Sequence, residues 1–237
     1  MAIPRFLAMT AAEIQKSTVL PRHPGWLACH FSAYGAGLSN LPPALPKGSL
    51  LVVDDETPIS GHDPAIAGAQ LRQALETLEC AGVLLDFQRP KTGEAVSMVK
   101  ALCQALPCSV AVASGYGEDL SCPVFLPPVP CCVPLGEHLA PWKHREVWLE
   151  LSREGQVITL TPSGTVVQPL TASPPVNGFS EETLHCHYTV ATEDTQAVFT
   201  LWRTRDDLAA LEEEAEALGV RQTVGLWQEL EQGAGDS

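Results

Sequence analysis

The chain has 237 residues, 45% of them apolar, and carries 14 Lys and Arg against 28 Asp and Glu for a net charge of −14. That length and apolar fraction suit one globular domain with an ordinary core and exclude a disordered chain. The acidic balance argues against nucleic acid or an anionic membrane as partner, because phosphate recognition needs clustered cations.

No stretch approaches the roughly 18 apolar residues of a membrane span. Residues 1–20, interrupted by Arg5, Glu13 and Lys16, lack a signal peptide's apolar run. A cytoplasmic protein is the expectation. The eight cysteines include no C-x-x-C pair. Cys29 sits in a strand-like run, Cys80 and Cys103 in helical patterns, and the adjacent Cys131 and Cys132 are poorly placed for a shared metal or a disulfide. Buried free thiols in a reducing compartment fit this usage, with no structural metal expected.

In chain order, Phe6 to Met9 and Trp26 to Phe31 predict two early strands. Leu50 to Val53 is an apolar run ending in Asp54-Asp55-Glu56, the pattern of a buried parallel strand leading into a loop. Asp63 as N-cap and Pro64 at the first helical position open a helix with Ile66, Leu71, Leu75 and Leu78 on its apolar face, and Gly82 is read as its end. Val83 to Leu85, ending in Asp86, is the next strand. A helix with Val96, Val99, Leu102 and Leu106 inward, stopped by Pro107, leads to a strand over Ser109 to Ala113. Strands and helices alternating with short connections imply right-handed parallel crossovers.

The region 120–197 breaks this rhythm. Val147 to Leu151, Val157 to Leu160 and Thr165 to Val167 alternate like antiparallel strands, with turns at Glu154-Gly155 and Ser163-Gly164 and no convincing helix. Val198 to Trp202 then reads as a strand leading into a helix started by Asp206-Asp207, with Leu208, Leu211, Ala215 and Leu218 inward. Thr223 to Trp227 reads as the last strand. Parallel units in the middle and at both ends predict a single α/β domain over 1–237, a degenerate (β/α)8 TIM-type barrel with an antiparallel insertion. An open doubly wound sheet is the alternative. No Gly-rich phosphate loop is present.

The stretch Gly82-Val83-Leu84-Leu85-Asp86-Phe87-Gln88 resembles the fourth-strand motif of family 18 glycoside hydrolases, D-G-x-D-x-D-x-E. Gly82 and Asp86 match, Ala81 and Leu84 stand at the first two Asp positions, and Gln88 stands at the acid. The resemblance implies a barrel whose Asp86 position holds a substrate acetamido group and whose final Glu protonates the leaving oxygen. Glutamine has no titratable proton, so that acid is lost here. Trp227, on the predicted last strand, is similar to the tryptophan that the family places beneath a sugar ring.

Barrel sites lie at the C-terminal ends of the strands. That rule selects His30, Asp54, Asp55, Glu56, Asp86, Gln88, Arg89, Ser114, Tyr116, Trp202, Arg203, Trp227 and Glu229. In one reading the barrel is non-catalytic or catalytically altered and binds a small polar or carbohydrate-like ligand through His30, Asp86, Gln88, Arg89, Tyr116, Trp202, Arg203 and Trp227, without a cofactor. A second reading makes Asp55, Asp86 and Glu229 the acid–base cluster of a hydrolase or lyase, working with or without Mg²⁺. A third makes the acidic face around Glu212 to Glu216 a protein-interaction surface for a basic partner. Against all three, Asp54 and Asp86 are equally suited to capping helices or pairing with Arg89 and Arg203. His185-Cys186-His187 offers two metal-type ligands without an evident third, and Cys131 or Cys132 with His138 or His144 a nucleophile–base pair without a known motif.

Overall fold

The computed structural model describes residues 3–118, 120–193 and 195–231, so the tail from 232 to 237 lies outside the described residues. The chain opens with β1 (Arg5–Met9), α1 (Ala11–Lys16), β2 (Pro24–Phe31) and β3 (Leu38–Ser39). Next come β4 (Leu50–Asp54), α2 (Pro64–Leu78), β5 (Gly82–Asp86), α3 (Gly93–Ala105), β6 (Ser109–Ala113), α4 (Ser114–Gly117) and β7 (Val124–Leu126). They are followed by α5 (Leu135–Leu139), β8 (Val147–Leu151), β9 (Gln156–Thr161), β10 (Gly164–Pro169), β11 (Phe179–Glu181), β12 (Cys186–Glu193) and β13 (Gln196–Trp202). Finally come α6 (Arg205–Ala217), β14 (Gln222–Leu226) and α7 (Trp227–Leu230).

Helix starts follow their caps. The Asp63 side chain accepts from the Ala65 amide ahead of Pro64, and Thr10 and Thr204 each form a capping box with the acidic residue three positions on. The end of α2 departs from the sequence reading: Glu79, with φ of 50°, terminates it, and Gly82 is the first residue of β5. Gly82 is required there for closeness. A Cβ would lie 2.8 Å from the Ser109 carbonyl oxygen and 3.4 Å from the Trp148 ring.

Strands β1, β2, β4, β5, β6, β7, β8 and β14 pair in parallel round a complete ring, with β1 bonded to both β2 and β14. The sheet is a closed barrel, and β3 adds antiparallel to β2 at its rim. Phe6, Ala8, Leu50, Val52, Leu84, Ala111, Phe125, Trp148 and Val224 fill the interior. The outer faces of the strands pack against helices in two further clusters, one around α2 and α3 and one around α5 and α6. With strand side chains alternating in and out, the residue two places beyond each interior one reaches the C-terminal mouth.

Between β8 and α6 the chain leaves the barrel to form a five-stranded antiparallel sheet, β10-β9-β13-β12-β11. This is the expected insertion, with different limits. Val147 to Leu151 is a parallel barrel strand, not part of a meander, and α5 is a short helix where none was expected. Val198 to Trp202 belongs to antiparallel β13 and not to the barrel. Leu218 lies past the end of α6 and is exposed instead of inward.

Candidate functional site

Parity carries four polar side chains to the mouth. On β4 the interior series Leu50, Val52 continues to Asp54, and on β5 Leu84 continues to Asp86, its register partner. On β2 a bulge between Leu27 and Cys29 restores His30 to the inner face opposite Asp54. On β8 Trp148 is followed inward by Glu150. The Trp148 indole is fully buried beneath it and reaches across to β5 at Gly82, closing the floor.

The mouth is electrostatically one-sided. Burial, then the Asp86, Glu154 and Glu229 carboxylates, push Glu150 up to about 7. Burial raises Asp86 above the ordinary carboxylate range, opposed by a hydrogen bond from Gln88 and reinforced by Asp55 and Asp54. Burial likewise raises Asp54, while the Glu56 amide and His30 pull it back. Gln88 donates from Nε2 to Asp86 Oδ1 at 2.5 Å, so the position that resembles the family's acid holds a neutral donor on the neighbouring carboxylate.

The remaining sequence candidates are placed apart from this group. Asp55 is buried behind the strand, where its carboxylate accepts from the Gln88 amide at 2.8 Å and the Arg89 amide at 3.1 Å. Arg89 returns the contact, donating to the carbonyls of Asp55 and Glu56, so the two fix the β4 and β5 loops to each other. Glu229, at the rim, accepts from Ser152 Oγ at 2.8 Å and from the Arg153 amide. Asp55, Asp86 and Glu229 are thus each engaged by different donors, Asp55 by the Gln88 and Arg89 amides, Asp86 by the Gln88 side chain and Glu229 by Ser152 and Arg153. Among the described residues no group of three or more His, Cys, Asp or Glu is arranged to hold a metal ion.

Tyr116 is 3% exposed in the layer outside the barrel, edge-on to Phe87, and its hydroxyl has no hydrogen-bond partner. Trp227 faces outward too: it packs on the outer cluster and lines a groove with Arg5, Leu7, Arg22 and Glu212, leaving Leu226 as the strand's exposed end. The position resembling the family's sugar floor is thus displaced from the mouth, because Val224 faces the interior and alternation turns Trp227, three places on, to the outer face. Trp202 and Arg203 are buried where β13 leads into α6. Trp202 stacks on His187, and Arg203 donates to the carbonyls of Val129, Pro130, Leu184 and His185, tying the insertion to the loop after β7.

His185 and His187 are held by Glu214 at 2.5 Å and Asp207 at 2.9 Å, both on α6, and so dock the inserted sheet on the barrel. Cys131 is buried with its thiol raised by burial and directed at the Glu154 carbonyl, while His138 bonds the Pro127 carbonyl. The cysteine–histidine pairing is not formed. Glu150 is the residue that sequence reading missed. Its signal was a glutamate alternating with buried residues near the C-terminal end of a barrel strand, obscured while that strand was read as part of a meander.

No family model matches the sequence, and no curated protein matches it significantly. Solved structures do match the fold. A family 18 N-acetylglucosaminidase from Paenibacillus barengoltzii superposes with a TM-score of 0.60 at 10% identity, over 96% of this chain and 97% of that one. The chitinase-like agglutinin of Robinia pseudoacacia gives 0.59 at 12% identity over 93% of each chain. The spore cortex-lytic enzyme of Bacillus megaterium gives 0.57 at 10% identity, covering 94% of this chain and 70% of that one. The chain is a divergent TIM barrel whose fold resembles that of family 18 glycoside hydrolases.

Proposed function

We propose that the barrel binds a carbohydrate at its C-terminal mouth and that Asp86 and Gln88 contact the sugar directly. The observation that carries this reading is the Gln88–Asp86 hydrogen bond, which leaves the strand-four pair as a donor and acceptor set without an acid. Asp86 offers a carboxylate oxygen, Gln88 its amide oxygen and remaining N–H, and His30 a ring nitrogen, groups suited to sugar hydroxyls and amides. The chitinase-like agglutinin among the matching folds supports sugar recognition on such a barrel, and a Cycas revoluta chitinase of the same fold is described with an N-acetylglucosamine trimer. All eight cysteines are free thiols, which supports a reducing, cytoplasmic setting, and an intracellular saccharide is then the better candidate than an external polymer.

The test is thermal stabilisation by N-acetylglucosamine oligomers. Ligand at 100 times its dissociation constant adds about 2.7 kcal/mol, a rise of roughly 5–10 °C for a domain of this size. The rise is expected for the native chain and lost in Asp86→Ala. Equal stabilisation of both proteins contradicts the reading.

A further inference from the structure

Glu150 stands apart from every other carboxylate at the mouth. Asp54 accepts from the Glu56 amide, Asp86 from Gln88, and Glu229 from Ser152 and Arg153. Among the described residues, Glu150 has no hydrogen-bond or ion-pair partner. Beneath it lies the buried Trp148 indole, and it stands on the inner face of β8, three strands round the ring from Asp86 on β5. The titratable groups that act on it, Asp86 from β5, Glu154 beyond β8 and Glu229 from α7, are all acidic. An unpaired carboxyl over an apolar floor among like charges favours its protonated form, the condition of a general acid. The mouth is thus short of an acid on β5 and supplied with one on β8.

We propose that Glu150 is the proton donor of this mouth, and that the barrel hydrolyses a glycosidic bond with its acid on the seventh barrel strand instead of the fourth. The inference rests on the reading that the mouth binds a sugar. In the step, Glu150 transfers its proton to the glycosidic oxygen as the bond from that oxygen to the anomeric carbon breaks. The bonding electron pair leaves with the oxygen, which departs as an alcohol. Water forms the new bond to the anomeric carbon and gives a proton to the Asp86 carboxylate, and exchange with solvent returns Asp86 and Glu150 to their starting states. One water is consumed, and nothing is oxidised or reduced.

Aryl and alkyl N-acetyl-β-glucosaminides of graded leaving-group acidity test the assignment, assayed from about pH 5 to about pH 9. The wild type is expected to cleave them with a rate that falls as pH rises through about 7. Glu150→Gln is expected to lose on the order of 10²–10⁴-fold on alkyl and phenyl leaving groups and little on dinitrophenolate, which departs without a proton. Glu150→Asp should recover part of the loss and keep the falling alkaline limb. Calorimetric titration with N-acetylglucosamine oligomers is run on the same proteins. Binding without cleavage above the Glu150→Gln rate overturns the acid assignment and leaves the binding reading standing. A loss equal across all leaving groups also overturns it. Failure of both wild type and variant to bind removes the binding reading itself, and the acid assignment with it.

Discussion

Gln88 Nε2 and Asp86 Oδ1 lie 2.5 Å apart at the mouth, so the side chain two residues beyond the aspartate serves it as a donor. The same loop is fixed from behind by Asp55, which accepts from the Gln88 and Arg89 amides. Placing the amide is the work of buried Asp55; engaging Asp86 is the work of Gln88.

Gln88→Glu replaces a donor by a second carboxylate beside one already raised by burial. Two carboxylates at this separation do not both ionise cheaply, so the pair retains a proton to higher pH. The variant is expected to be about 1–2 kcal/mol less stable than wild type near pH 8 and indistinguishable near pH 4. Thermal melts at the two pH values check this, and a loss of the same size at both would point to packing instead of charge.

Glu150 gives the fold itself a pH dependence. Its carboxyl is raised from 4.5 to about 7 in the folded chain, so the native state binds the proton that the unfolded state releases between those values. Its contribution to stability is intact below pH 4.5, falls as pH rises, and levels off above about 7. Glu150→Gln removes the titration while keeping the shape. The variant should exceed wild type at pH 8 by up to about 3 kcal/mol and match it near pH 4, read as the difference between denaturant midpoints. A variant less stable than wild type at pH 8 would show that the ionised carboxylate has a favourable partner.

Arg203 is 3% exposed and gathers carbonyls from both the β7–β8 connection and the insertion. Arg203→Met leaves those oxygens without donors, a loss of about 2–4 kcal/mol. Amide exchange should accelerate in β12 and β13 and remain unchanged in β4, β5 and β6. Uniform acceleration across both sheets would show that the insertion and barrel unfold as one unit.

The parts of the fold legible in the sequence were those in which local pattern and environment agree. The runs at Leu50, Val83 and Ser109 are apolar because both faces of those strands are covered, and Asp54 and Asp86 at the ends of the first two mark the mouth. Val147 to Leu151 misled because Glu150 interrupts an apolar run, and such alternation suits a half-exposed antiparallel strand as well as a barrel strand with a polar mouth. Trp202 and Arg203 misled for the converse reason. A strand running into a Thr204-capped helix has the local signature of a barrel unit, and only long-range pairing with β9 and β12 assigns β13 to the second sheet. Trp227 turned on parity: once Val224 is known to face the interior, alternation puts Trp227 on the outer face, and the local pattern alone did not fix which residues of the strand point inward.

The most direct measurement follows the Gln88 side-chain amide by heteronuclear NMR while N-acetylglucosamine oligomers are titrated into the protein. Its paired N–H resonances, assigned through their absence in Gln88→Glu, are expected to shift along a saturation curve matching the thermal stabilisation. Saturable stabilisation with those resonances unmoved would place the ligand elsewhere and contradict the mouth as the sugar site.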